Sequence, residues 1–539
     1  MTRTRPVGLS LWGKSHSLDE PYPLVCHLLD TAAAAEAITA QMLPRSMIEA
    51  IARHLGASPD EWVQVARVLA GWHDIGKASC GFQNFDKVAC PAWARGHRDS
   101  SSAGKHDRIG ALLTWDRLDS IPVRARARVA QIIGGHHGLV PLLNAQELSA
   151  WGGAAQTDQS PPPELDHARR WLWATLDSVL GEMPSHLIAT PAASMTLAVV
   201  VLADWIASSH DLINEHQNAL DAEGFDPAGH YKRALALSGD HLRATGLVAP
   251  GMWKRPVPAD LIHRGEPSWT DLQSSVSDAF RPTGPGIVVI CAPTGEGKTE
   301  AALLAASKLA VASERYGMFF AMPTVATAEG LYSRLERCME RLIPAGESPA
   351  LRRVHSQALL TEGDAHVAVS DESAATRAAA AWMQGTRKSL LAPFGVGTID
   401  QVLLGALRSK HSPLRILGAA TGVLVIDEAH SLDPYMRKLL CRALEWLAAL
   451  ATPVVVLSAT MPHKRVEELC VAYQAGCGAE RDTEFALDGY PSWLASIALG
   501  DCPFSVSKQQ LKRTGGNHLR QPPGMIVVIV PTLTRRRTA

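Results

Sequence analysis

Cysteine is scarce and unpaired in this chain, with nine in 539 residues and none in a Cys-x-x-Cys arrangement. That absence removes thiol-based zinc and redox chemistry and fits free or buried thiols in a reducing cytoplasm. An excess of charge of either sign is missing too, with Lys+Arg 52 against Asp+Glu 53. Bulk charge therefore argues neither for nor against nucleic acid, and any such claim must come from motifs. No apolar run reaches the roughly 20 residues that a membrane span needs. The most apolar stretch, Leu187 to Ala203, contains Pro191 and runs into Asp204, so a buried helix and no membrane partner are expected. The opening Met-Thr-Arg-Thr-Arg-Pro has no apolar core behind it, so a secretory leader is not expected and a cytoplasmic location is. Internal repeats are also lacking. What remains is a composition of 46% hydrophobic and 19% charged residues, long enough for two or three globular domains.

The pattern changes once along the chain. Ala-rich segments such as Thr31–Ala50, Trp62–Trp72 and Val123–Ile133 carry apolar residues at helical spacing and predict an all-helical domain over 1–235. Residues 236–270 mix Gly, Pro and charge as a connector would. Over 271–490 short β-branched runs precede helices, at Gly286–Cys291, Gly317–Met322, Gly422–Ile426 and Pro453–Leu457. Buried parallel strands read this way, each feeding a loop at its carboxyl end where α/β sheets place ligands. The predicted fold class is thus multidomain, an all-α domain followed by an α/β domain with a mainly parallel sheet. Residues 491–539 read as the start of a further domain, with Gly524–Thr532 as its first strand.

Metal-type ligands are spread along the helical part: His27, His73-Asp74, His106, His136-His137 and Asp204. Adjacent His73 and Asp74, in Gly-Trp-His-Asp-Ile-Gly-Lys, let an imidazole bind one ion while the carboxylate bridges to another. Gly134-Gly135-His136-His137-Gly138 supplies two neighbouring imidazoles. Asp204 ends an apolar helix, where a carboxylate is costly to bury unless paired or ligated, although a hydrogen-bonded helix-end Asp is the plain alternative.

These elements resemble the HD nuclease domain of the CRISPR-associated Cas3 proteins. The likeness lies in Trp12-Gly13-Lys14-Ser15, His27 with Asp30, His73-Asp74-Ile75-Gly76-Lys77, Lys105-His106-Asp107, residues 135–138 and Asp204-Trp205-Ile206-Ala207-Ser208. The resemblance implies one ion held by His27, His73, Asp74 and Asp204. A second would share Asp74 and use His106, His136 and His137, with His97 a competitor for His106. Asp74 would be catalytic as the bridge, and Lys77 would orient a phosphate or else sit as a solvated helix-end lysine. His-rich shells favour transition ions of the Mn, Fe, Co or Ni class.

A nucleotide motif follows. After the run Ile287–Ile290, the segment 292–299 reads Ala-Pro-Thr-Gly-Glu-Gly-Lys-Thr. Thr294, Gly295, Glu296 and Gly297 form a phosphate-wrapping loop, Lys298 meets the β and γ phosphates of ATP, and Thr299 reaches Mg²⁺. Asp427, after a predicted strand, would hold the same Mg²⁺, with the neighbouring Glu428 activating water. Met322–Ala328, Val396–Gln401 and Ser458-Ala459-Thr460 resemble further motifs of superfamily 2 helicases. Gln273 is either an adenine-reading glutamine or an ordinary helix glutamine, and Arg387-Lys388 could meet phosphates.

The residues after Pro462 carry no Gln-x-x-Gly-Arg-x-x-Arg element of a second RecA-like domain. Poor ATPase and no unwinding by this chain alone are therefore expected, the motor being impaired by truncation or completed by a separate polypeptide. The whole resemblance implies a Cas3-like enzyme that cuts single-stranded DNA and is recruited by an RNA-guided, Cascade-like surveillance complex. The rival expectations are an HD phosphohydrolase of nucleotides and a non-catalytic binding remnant.

Overall fold

The computed structural model describes residues 7–16, 18–95, 105–141, 162–184, 189–248, 269–342, 350–354, 389–478 and 525–529. The chain divides into two compact units, Met1–Gln41 with Ile51–Leu242, and Met42–Ala50 with Arg243–Ala539.

The first unit is helical. Its centre is the helix Leu24–Ala37, buried along nearly all its length and packed against the helices Pro59–Trp72 and Thr190–Ala207. The run Ala32–Ala35 is wholly buried, and its small side chains, spread round the helix, leave room for neighbours to approach closely. Helix Pro59–Trp72 starts at a capping box, in which Ser58 Oγ accepts from Glu61 N and the Glu61 carboxylate accepts from Ser58 N. It ends in the 3-10 turn Ile75–Lys77, which brings His73-Asp74 to the helix terminus. Thr190–Ala207 is long and apolar enough to cross a membrane, but 72% of it is buried inside the protein. Beside the helices lies a two-stranded antiparallel ribbon, β1 (Trp12–Lys14) and β2 (Tyr22–Pro23), too short to show as alternation in the sequence.

One glycine decides where the helix His106–Arg117 can lie. A Cβ on Gly76 would meet the His106 carbonyl oxygen at 1.9 Å and the Gly110 nitrogen at 2.4 Å. Only a residue without a side chain lets this backbone come so near the His-Asp turn.

The second unit is built on a seven-stranded sheet in the order β5-β6-β4-β7-β8-β3-β9. The strands are β3 (Ile287–Cys291), β4 (Met318–Met322), β5 (Leu351–Val354), β6 (Phe394–Thr398), β7 (Val423–Ile426), β8 (Val454–Ser458) and β9 (Met525–Ile529). All pairs are parallel except β3–β9. Every residue of β3, β4, β6, β7 and β8 is buried, as continuous apolar strands between helical layers must be. Met525–Ile529, expected to open a further domain, instead pairs antiparallel with β3 at the edge of this sheet. A β-branched run satisfies its backbone against any free strand edge, so its sequence cannot say which sheet it joins.

Candidate functional site

In the helical unit four separate segments converge on Asp74. Its Oδ2 lies 3.3 Å from His27 Nε2 and 3.3 Å from His73 Nε2. Its Oδ1 lies 3.3 Å from His106 Nε2 and 3.3 Å from His136 Nε2. Asp204 Oδ1 completes the first set, 3.3 Å from His27 Nε2 and 3.5 Å from His73 Nε2. His137 Nε2 completes the second, 2.9 Å from His106 Nε2. All seven metal-ligand candidates are thus together, with the Asp74 carboxylate facing one set with each oxygen. His97 lies outside the described residues.

The donor chemistry fits divalent ions. His27, His73 and His136 are buried with their Nε2 atoms lacking hydrogen-bond partners, as does Asp74 Oδ1. Orphaned buried nitrogens and carboxylate oxygens are costly unless something binds them. Their spacing suits donors around a shared centre at about 2.0–2.2 Å. His73 Nδ1 is 2.7 Å from Ala70 O, and His136 Nδ1 is 2.6 Å from Ile133 O. These contacts fix each ring with Nε2 turned inward, the orientation of a metal-binding imidazole.

Two lysines balance the carboxylates. Lys77 is buried, 2.6 Å from Asp74 Oδ2, and donates to Gly13 O at 2.8 Å beneath the Phe82 ring. It is therefore not a solvated helix-end lysine, and it orients Asp74. Lys14 Nζ sits 3.2 Å from Asp204 Oδ1, and Ser208 Oγ donates to the same oxygen at 2.9 Å. Burial alone would raise both carboxyls. Lys77 and His73 around Asp74, and Lys14 with His27 and His73 around Asp204, outweigh it and hold them well below the usual range. Burial likewise lowers the His73 imidazolium, but Asp74 and Asp204 push it up to about 9. Lys14 was not singled out from sequence as a site residue, although it lies in the Trp-Gly-Lys-Ser segment. Its place depends on the β1 ribbon, which Gln83 pins by accepting from Trp12 N at 3.1 Å and donating to Trp12 O at 3.0 Å.

Asp30, one turn beyond His27, faces away from this centre. It accepts from Tyr22 Oη at 2.6 Å, lies 2.8 Å from His230 Nε2 and 3.5 Å from His216 Nε2. No spacing in the sequence could have joined residues so far apart.

In the α/β unit the loops at the carboxyl ends of the neighbouring strands β3, β8 and β7 carry the nucleotide motifs. Gly295 and Gly297 have φ of 90° and 72°, and helix Lys298–Ala312 starts directly behind them. This is the geometry by which backbone N–H groups face phosphate at a helix N-terminus. Lys298 Nζ donates to Ala292 O at 2.9 Å. Thr294, Glu296 and Thr299 lie on the same loop and first turn, and Thr270 Oγ1 donates to Glu296 O at 2.9 Å. Asp427 follows β7, and Glu428 N donates to its Oδ1 at 2.8 Å, with Glu428 in the left-handed region at φ 51°. Burial raises the Asp427 carboxyl. His430 Nδ1 links the motif to β8, 3.1 Å from Ser458 Oγ. Gln273 is buried, and its amide accepts from Thr270 N at 3.2 Å and donates to Gly297 O at 3.3 Å. It thus caps its own helix and props the phosphate loop. Arg387-Lys388 lie outside the described residues.

Residues 12–213 match the Cas3 HD domain model, and residues 270–469 match that of DEAD/DEAH box helicases. Residues 12–213 are thus a Cas3-type HD domain, followed by a DEAD/DEAH box helicase region. Among Cas3 proteins, the chain is 34% identical over 502 residues to the CRISPR-associated endonuclease/helicase Cas3 of Thermus thermophilus, covering 87% of this chain and 51% of that one. The structure of T. fusca Cas3 with ATP matches with a TM-score of 0.76 at 33% identity, over 89% of this chain and 53% of that one. A chain of a CRISPR RNA-guided surveillance complex, pre-nicking, matches with a TM-score of 0.66 at 31% identity, over 88% of this chain and 50% of that one. The chain spans about half the length of the curated Cas3 relatives it matches.

Proposed function

We propose that the helical unit is a metal-dependent endonuclease for single-stranded DNA and the α/β unit the ATP-binding part of a superfamily 2 DNA motor. Both would serve an RNA-guided, Cascade-like surveillance complex in CRISPR antiviral defence. The observation that carries the nuclease reading is the Asp74 carboxylate, with His27 and His73 on one oxygen and His106 and His136 on the other.

Two divalent transition ions held by these seven residues would supply an activated water and a positive clamp on the phosphodiester. The protein's part is to hold donors in place. His73 and His136 are locked by backbone carbonyls, Lys77 fixes Asp74, and Lys14 with Ser208 fixes Asp204. In this reading hydrolysis calls on no serine or cysteine nucleophile. The names of the relatives, endonuclease and helicase, agree with it, as does the likeness to a chain of a surveillance complex. In the α/β unit, residues 294–299 would wrap the ATP phosphates, Thr299 and Asp427 would hold Mg²⁺, and Glu428 would orient water. Gln273 would support the loop from behind.

The test is purified chain freed of metal, then given Mn²⁺ or Ni²⁺ and offered circular single-stranded DNA or free nucleotides. Cleavage of the circle by the wild type and none by Asp74→Asn is the expected result. Hydrolysis of nucleotides with the circle left intact would instead make it a nucleotide phosphohydrolase.

A further inference from the structure

Five large apolar side chains stand exposed among the described residues: Phe85, Val88, Val123, Leu139 and Tyr435. Isolated cases are ordinary on any protein surface. Here three of the five lie close in the chain to residues of the metal centre. Phe85 (86% exposed) and Val88 (91%) follow the short helix Cys80–Gln83, and Leu139 (52%) lies two residues after His137. On that short helix Phe82 turns inward, its ring 5.2 Å from the His106 ring and 4.6 Å from Trp12. Phe85, whose N–H bonds to the Phe82 carbonyl at 3.0 Å, turns outward.

The loop is held firmly while it presents these side chains. Asn84 Nδ2 donates to Cys80 O at 2.9 Å and to Ala94 O at 2.7 Å, and Cys90 Sγ donates to Asn84 Oδ1 at 3.4 Å. Asp86 Oδ1 accepts from Val88 N at 2.9 Å and Ala89 N at 3.1 Å, and the Asp86 carboxylate also takes a hydrogen bond from Ser15. The one acidic group of the tip is therefore engaged with the loop itself. Between the apolar side chains the exposed Lys87 is the tip's cation. An aromatic face and a cation on a preformed loop make up the chemistry that binds single-stranded nucleic acid without sequence preference.

We infer that the Phe85–Val88 loop is a stacking platform for the bases of single-stranded DNA on its way to the metal centre, with Lys87 on the neighbouring phosphate. The inference rests on the nuclease reading above and adds how the strand is gripped. Stacking on one aromatic face is worth about tenfold in affinity.

The decisive experiment has two arms. In the first, the full chain is held in EDTA so that DNA stays uncut, irradiated with an oligodeoxynucleotide containing 5-iodouracil, and the adduct mapped by mass spectrometry. An adduct on Phe85 is expected; a map without one in residues 85–88 overturns the platform. In the second, Phe85→Ala raises KM for cleavage of a single-stranded oligodeoxynucleotide about tenfold. It leaves turnover of bis(p-nitrophenyl) phosphate, too small to reach the loop, unchanged, and Phe85→Trp restores the oligonucleotide KM. An unchanged KM in Phe85→Ala, or a defect that appears only when a surveillance complex is added, also overturns it, the latter by making the loop a protein-docking surface. If the wild type hydrolyses no small diester, the metal-centre reading fails while the cross-link still decides the platform.

Discussion

The two units build their sites in opposite ways. In the helical unit the functional groups meet on a buried floor of His27, His73, Asp74 and His136, with His106, His137 and Asp204 towards the surface, and are drawn from helix Leu24–Ala37, the His-Asp turn, the start of helix His106–Arg117, the His136-His137 turn and the end of helix Thr190–Ala207. In the α/β unit they lie on loops at the ends of adjacent strands, where the backbone itself supplies most of the phosphate-facing donors. A site of the first kind depends on packing at a distance. One of the second kind depends on a contiguous stretch of residues.

The sharpest way to break that contrast is to remove the bridging carboxylate. Asp74→Asn should lower bound metal, read by mass spectrometry of the native protein, and reduce DNA cleavage by roughly three orders of magnitude or more, as loss of a metal-generated nucleophile does. Binding of a fluorescent ATP analogue should be untouched. The converse variant, Lys298→Ala, should abolish that nucleotide binding and leave metal content whole. If either substitution empties both sites, the independence of the two chemistries is wrong.

A second probe acts on packing alone. Gly76→Ala adds a single methyl group where the His106 carbonyl stands at 1.9 Å, and overpacking of this kind costs about 1–3 kcal/mol, or more where backbone must move. The expected result is a lower melting temperature and weaker metal binding from displaced His106. Gly295→Ala, at φ of 90° with open space around it, strains only its own loop and should reduce nucleotide affinity without moving that transition. Third, Lys77→Met removes an orienting contact rather than a ligand. A loss of about 10–100-fold in metal affinity is the measure for such outer contacts, read by competition with a chelating dye.

The smallest effect concerns acid. Burial lowers the His216 imidazolium against the pull of Asp30, with Arg233 adding to the lowering and Glu215 opposing it. Burial would raise Asp30, but His216 and His230 outweigh it, helped by the hydrogen bonds from His230 and Tyr22, and hold it low. A lowered histidine means the unfolded chain binds the extra proton, so stability falls as pH drops below about 6.5. A lowered carboxyl adds stability above about pH 4 that is lost as pH falls through its folded value. Both slopes point the same way. Hydrogen exchange in helix Leu24–Ala37 should therefore quicken from pH 6.5 to 4 once corrected for intrinsic rates. Asp30→Asn removes the charge that opposes the lowering of His216 and should steepen that rise.

How much could be read in advance follows from the same contrast. The strand, loop and helix around Lys298 are contiguous, so residue order alone placed them, and the run before Asp427 marked a strand end. The imidazoles and carboxylates of the helical unit were visible as residue types, and their grouping came from family likeness. What residue order could not reveal was any partner set by long-range approach. Lys14 reaches Asp204 only because Gln83 pins the ribbon, and Gly76 is small because another helix crosses it. By its place in the sequence Gln273 could read a base or sit as an ordinary helix glutamine, and its amide is engaged by its own cap and by Gly297, contacts that need the folded loop to exist. The strand Met525–Ile529 shows the same limit, since its apolar run specified a strand and left the choice of partner to the open edge of β3.

Asp74 leaves one more consequence. With one oxygen turned to each group of imidazoles, a single pair of side-chain torsions serves both. Whatever fills one side must pull or polarise the carboxylate for the other. Occupancies that share a hinge cannot be independent, and linkage requires the influence to be equal in both directions. A titration of the centre should then depart from two separate binding curves, with the first equivalent setting the affinity for the second.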